Sequence, residues 1–195
     1  MSQLWAHPAM LSEIRELLDL LEDRARHLTF PMGEGVWNAV PLSVHASYSL
    51  DEILTAIEKM TLEKPDRIRE GTLWNEETKS DLFFVTLEKT EKDYSPTTLY
   101  KDYAISSELF HWESQSITSQ ASPTGQRYIN HRERGTNILL FVRQNGKVGN
   151  RTVPYMFLGL ADYVSHEKER PIAFVWRLRR PMPADFFKEV KVAAG

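Results

Sequence analysis

The chain has 195 residues, 42% of them apolar and 26% charged, a balance that suits a soluble globular protein and excludes a disordered or fibrous one. No apolar run reaches the ~20 residues that a membrane helix needs, and the first ten residues lack the basic and apolar regions of a secretory signal. The net charge of -3 excludes a uniformly basic chain, and the absence of cysteine excludes disulfides, thiolate metal sites and a cysteine nucleophile, which suits the cytoplasm.

In chain order, 9–28 is expected to form an amphipathic helix. Leu11, Ile14, Leu17, Leu18 and Leu21 recur at spacings of three and four, with carboxylates and arginines between them. The segment TFPMGEGVWNAVP is a Pro- and Gly-bearing connector. Leu42, Val44 and Ala46 alternate as a short strand would, and SLDE from Ser49 sets up a capping box with Glu52. A boundary is expected near Pro65, dividing a helical segment, 1–66, from a β-rich domain, 67–195.

Beyond it the texture is β. Strands are expected over 69–74 and 82–87, separated by NEETKSD. Within 109–115, Phe110 and Trp112 alternate with Leu109, His111 and Glu113, giving a strand with its aromatic face inward. SPTGQRYINH starts a short helix at Pro123. Stronger strands follow over 137–143, 155–165 and 172–180, with turns at Asn145-Gly146 and 167–170, and ADFF opens a last helix. Short strands at close spacing, with single helices between them, predict an α+β fold. Its expected core is a small curved or closed, mainly antiparallel β-barrel with flanking helices and an N-terminal helical segment.

Candidate chemistry concentrates in 93–131. Tyr94, Tyr100, Tyr103, Phe110, Trp112 and Tyr128 lie beside a nearly uncharged Ser/Gln/Thr run. Flat rings next to neutral hydrogen-bonding groups suit a nucleobase, whose face stacks and whose edge is read by amides and carboxylates. Asp102 and Tyr103 are candidates for edge and face, with Phe110, Trp112, Gln115 and Tyr128 around them. A core of rings beneath a solvated loop is the plainer explanation of the same residues.

Charge is unevenly spread: 1–66 holds 5 Lys/Arg against 11 Asp/Glu, while 126–195 holds 13 against 6. The basic third can meet phosphates despite the acidic total, because screening limits charge effects to roughly 10 Å. Arg127, Arg143, Lys147, Arg151, Arg177 and Arg179 are the candidate backbone contacts. Catalytic signatures fail: there is no phosphate-cradling glycine loop and no H-E-x-x-H. His166-Glu167-Lys168 begins a phosphodiesterase-like H-x-K, but Ala173 stands where an aspartate is required. No cofactor or metal is called for. A small hydrolase would have to use His111 or His131 with Asp102 or Glu113.

The stretches DLFFVTLEKTEKDYSPTTLYKDYAIS, LFHWESQS, SPTGQRYINH, NILLFVR, PYMFLG, YVSHEKERPIAFVWRL and PMPADFF add a family hint. In this order they resemble the C-terminal domain of unknown function of bacterial superfamily II helicases that carry a phospholipase-D-type nuclease. Those proteins include type IV restriction enzymes that cut DNA containing modified cytosine. The resemblance implies a target-recognition module with a fold similar to the SET- and RING-associated domain, which flips a modified base such as 5-methylcytosine into an aromatic pocket. Tyr103, Phe110 and Trp112 would wall that pocket and Asp102 would read the base edge. It also implies duplex DNA with modified bases as partner, and helicase and nuclease modules in cis or in trans. A docking module without a ligand of its own is the main rival expectation.

Overall fold

The computed structural model describes residues 7–26, 29–32, 40–60, 71–88 and 102–193. Tyr94, Tyr100, the expected boundary at Pro65 and the start of the first expected strand lie outside the described residues. Four helices are described: α1 (Pro8–Arg26), α2 (Leu50–Ala56), α3 (Pro123–Ile129) and α4 (Ala184–Ala193). The N-terminal strands are β1 (Phe30–Pro31), β2 (Ser43–Val44), β3 (Ser47–Tyr48), β4 (Thr72–Asn75) and β5 (Ser80–Glu88). They are followed by β6 (Tyr103–Ala104), β7 (Leu109–Glu113), β8 (Asn137–Asn145), β9 (Lys147–Val148), β10 (Arg151–Thr152), β11 (Tyr155–Glu167) and β12 (Ala173–Leu178).

The fold is α+β around one mostly antiparallel sheet, in the order β4-β5-β8-β11-β12-β7-β6, with β3 added beside β11. Among the described residues the pairing follows an open path with β4 and β6 at its ends. One central pair is parallel: β5 runs beside β8 from Ser80↔Asn137 to Glu88↔Asn145. The chain between them supplies β6, β7 and α3.

Period-2 alternation along β8 explains the two cores. Ile138, Leu140 and Val142 point to a cluster closed by Phe83, Trp112, Tyr128 and Trp176, with Phe186 and Val190 of α4. Leu139 and Phe141 point the other way, to Leu82 and Phe157 and to Leu42, Val44, Ile53, Leu54 and Ile57. Residues 42–57 are therefore part of the packing around β5, β8 and β11.

Local chemistry positions these pieces. Ser49 caps α2: its Oγ accepts from the Glu52 N–H (3.3 Å), while Glu52 Oε2 accepts from the Ser49 N–H (2.7 Å). Ser122 caps α3 by accepting from the Gly125 N–H, with Pro123 in the first turn. Gly159 sits at a register shift in β11 with φ +88, and a Cβ there would lie 3.0 Å from a methyl of Val44. Glycine is needed on both counts, since positive φ and that close approach exclude a side chain.

The expected turn at Asn145-Gly146 is displaced. β8 leads past Gly146 into the β9–β10 pair, so the ribbon reverses at Gly149-Asn150 and projects Lys147, Val148 and Arg151 as an exposed arm.

Candidate functional site

The second core covers only part of its face of the sheet. Over β5, β8 and β11 it is sealed by residues of β2 and α2. Over β12, β7 and β6 no described residue of that core seals it; Glu113 and Ala173 at one end of this face are buried, while Tyr103, Leu109, His111, Val175 and Arg177 are half-buried or exposed. Register places them in rows. Tyr103, His111, Val175 and Ser165 are successive cross-strand partners, and so are Leu109, Arg177 and Asp162 in the next row.

On this open half the Tyr103 ring, 36% exposed, stacks on His111 with centroids 4.5 Å apart and planes 12° from parallel. Arg177 is exposed two strands away and one row along, about 12 Å by ordinary strand spacings. At the edge, Asp162 holds two arginines: Arg179 Nη2 donates to Oδ1 (3.1 Å), and Arg132 Nη2 lies 3.2 Å from Oδ2. Burial pushes the Asp162 carboxyl up, but the hydrogen bonds and charges of Arg179 and Arg132 hold it below the usual range.

At the far end of β7, Asp102 is buried and its Oδ1 accepts from the Glu113 N–H (2.9 Å). Glu113 in turn accepts from Lys168 Nζ (2.8 Å), which ties the end of β7 to the β11–β12 turn. Gln115 is half-buried in the next turn, where its carbonyl accepts from the Thr118 N–H.

Three expected pocket walls are corrected. Phe110, Trp112 and Tyr128 are 0%, 4% and 2% exposed and belong to the first core. Trp112 stacks on Phe83 at 3.9 Å, and Tyr128 meets the same ring edge-on at 5.1 Å. The reason is the pleat: Phe110 and Trp112 point to the side of β7 opposite His111 and Tyr103, and the aromatics of β5 and β12 fill the space.

The cations also divide. Arg127 is corrected from phosphate contact to structural partner: Nε and Nη2 grip both Asp81 oxygens at 2.7 Å, and the guanidinium stacks on Trp74 at 4.3 Å. That grip raises the Arg127 pKa, while burial pushes the Asp81 carboxyl up against the hydrogen bonds and charge of the same guanidinium. Arg177 and Arg179 share the open half with Tyr103. Lys147 and Arg151 lie on the arm, with Arg143 at its root. The site is therefore two groups, one around Tyr103 and one around the arm.

Asp162 and Asp81 were missed from sequence. A carboxylate inside an otherwise apolar strand, as in LGLADYV and SDLFFV, is the signal that could have found both.

His131 shows why the hydrolase expectation lacks a base there. Its Nε2 accepts from the Tyr163 N–H (3.0 Å) and its Nδ1 faces the Thr136 carbonyl (3.2 Å), so it is a neutral, Nδ1-protonated tie between the end of α3 and β11. Burial lowers its pKa, as it does that of His45. Both groups bind protons more readily unfolded than folded, so their contribution to stability is full above the unfolded value near 6.5 and is lost as pH falls below it. The urea midpoint should be lower at pH 5.5 than at pH 7.5, and His131→Gln should narrow the gap. A midpoint unchanged between the two pH values would contradict this assignment.

Among the described residues no three of His, Asp and Glu gather as a metal cluster, and no helix is long and apolar enough to cross a membrane. A family model described as a domain of unknown function, DUF3427, matches residues 42–190. No curated protein matches the chain.

Proposed function

The chain belongs to the DUF3427 family of domains of unknown function, and from that premise we propose that it is a non-catalytic DNA-binding module that recognises a modified base, 5-methylcytosine being the first candidate. The observation that carries this reading is the exposed Tyr103–His111 stack, one row from Arg177 on the uncovered half of the sheet. A base turned out of a duplex would stack on the Tyr103 ring, a contact worth ~1–3 kcal/mol, against the few kcal/mol that extrusion costs. Arg177 meets phosphate directly, and Arg132 and Arg179 exchange Asp162 for it. On this reading the bulged sheet takes the part of the curved barrel in SET- and RING-associated domains. Nuclease and helicase modules of a cytoplasmic modification-dependent restriction system would act in cis or in trans.

Burying one extra methyl contributes only about 0.8 kcal/mol, so preference for the methylated site should be several-fold. In titrations of the chain at fixed salt against two identical duplexes, one carrying 5-methylcytosine, the methylated one should bind more tightly. Tyr103→Ala should weaken it by ~1–3 kcal/mol, and Arg177→Gln should lower the salt slope by about one unit. If the wild-type chain bound neither duplex, the reading would be wrong.

The exposed apolar residues of α1, Leu17 (61%) and Leu18 (59%), favour a second reading, a docking module for a motor protein. It expects DNA binding that is weak and indifferent to methylation.

A further inference from the structure

The β9–β10 arm is a second basic surface, remote from the open half-sheet. It runs into β11 at Tyr155, ten residues from Ser165, which shares the row of Tyr103; that is on the order of 30 Å of strand. All six residues from Lys147 to Thr152 are exposed.

The root of the arm is clamped to the sheet. The Arg143 guanidinium lies 4.1 Å above the Tyr155 ring, with Nε donating to Thr86 Oγ1 (3.0 Å) and Nη1 to the Val153 carbonyl (2.9 Å). The Val153 N–H donates in turn to the Gly146 carbonyl (3.1 Å). At the tip Gly149 turns the chain with φ +59, a conformation that glycine adopts without strain. A ribbon of two strands is marginal by itself, so the bonds at its root are what keep this one formed.

Register sets the two cations of the arm on opposite faces. Lys147 pairs with Thr152 and Val148 with Arg151, and successive residues of a strand point to opposite sides, so Lys147 lies on one face and Arg151 on the other. No carboxylate stands in the arm sequence GKVGNRTVP. Among the described residues none pairs with Lys147 or Arg151, in contrast to Arg127, Arg132, Arg179 and Lys168. A flat anionic surface could engage only one of the two faces. Two walls of phosphate, one on each side, engage both. The major groove of DNA, about 12 Å wide, admits a two-stranded ribbon between two such walls, whereas the minor groove, about 6 Å wide, is too narrow for one. Asp185 and Glu189 of α4 line the hollow beside Val148 and oppose a polyanion seated deeper, which confines the contact to the outer ribbon.

We propose that the arm lies in the major groove of duplex DNA, with Lys147 on the phosphates of one strand and Arg151 on those of the other. This rests on the reading of the chain as a duplex-binding module, and it adds a contact that needs no modified base.

Titrations of the whole chain across a salt series, against one unmodified duplex and one carrying 5-methylcytosine, test this. Lys147→Gln with Arg151→Gln, at two exposed positions, should lower the salt slope by about two units on both duplexes, and either change alone by about one. The ratio of methylated to unmodified affinity should stay that of the wild type. The loss should persist on duplex saturated with netropsin, which fills the minor groove, and vanish on duplex saturated with methyl green, which occupies the major groove. Binding to neither duplex, or a loss that netropsin alone removes, would overturn the assignment. So would a slope unchanged by the double substitution in a folded protein, and weaker binding of that variant to polyglutamate would then make the partner an acidic protein. A fallen slope without any preference for methylation leaves the arm in the groove and defeats the base reading, and a retained preference with an unchanged slope does the reverse.

Discussion

Trp112→Ala is expected to destabilise the protein by about 3–5 kcal/mol, the range for removing a large buried ring, while leaving the ratio of modified to unmodified DNA affinity unchanged. Trp112 is 4% exposed, lies flat against Phe83 at 3.9 Å and contacts Tyr128 and Phe174 at 5.7 and 5.8 Å. Removing it strips contacts from three rings that cannot all collapse into the gap. Urea unfolding measures the first effect, and paired duplex titrations at low temperature, where the variant stays folded, measure the second. A variant of near-native stability that lost the preference for modified DNA would restore Trp112 to a binding pocket. The contrast with Tyr103→Ala is the informative part: the two residues sit on opposite sides of the β6–β7 pair, so one should report on folding and the other on ligand.

Asp81→Ala is the second large effect, expected near 3 kcal/mol. The Asp81 side chain is 1% exposed and supplies both oxygens to Arg127, so its loss leaves a charged guanidinium against Trp74 and Tyr128 without its partner. Removing one member of a buried pair costs ~3–5 kcal/mol, and the 21% exposure retained by the Arg127 side chain places this case at the low end. The double variant Asp81→Ala/Arg127→Met should recover much of the loss, because an apolar side chain of similar length removes the unpaired charge. A double-mutant cycle with no coupling between the two positions would contradict the account. If Arg127 instead met phosphate, Arg127→Met alone would weaken DNA binding without a matching fall in stability.

Elements with local causes were legible in the sequence. The capping box at Ser49 and Glu52, the serine cap before Pro123 and the period-2 pattern of β7, β8 and β12 each depend on neighbours a few residues away. Partners were not legible, because alternation tells a strand which faces it has and not what covers them. The inward face of β7 was readable, yet the same aromatic richness serves a pocket wall or a core, and only Phe83, 29 positions before Trp112, decides between them. Tyr103 and His111 became neighbours through the β6–β7 register, and Arg177 joined them through β12. Arg127 looked like a phosphate contact because its carboxylate lies 46 residues away.

The parallel pair at the centre of the sheet bears on how the chain reaches this structure. Ser80 cannot meet Asn137 until the whole crossover containing β6, β7 and α3 has been made and closed, and the entropy of so long a loop is lost before its contacts are gained. Non-local pairing of this kind slows folding relative to helix bundles or hairpins of the same size. During synthesis, the apolar β5 emerges well before its central partner, with β4 as its hairpin neighbour among the described residues. The interval between those two strands leaving the ribosome is thus when this protein is most open to wrong pairing with other chains.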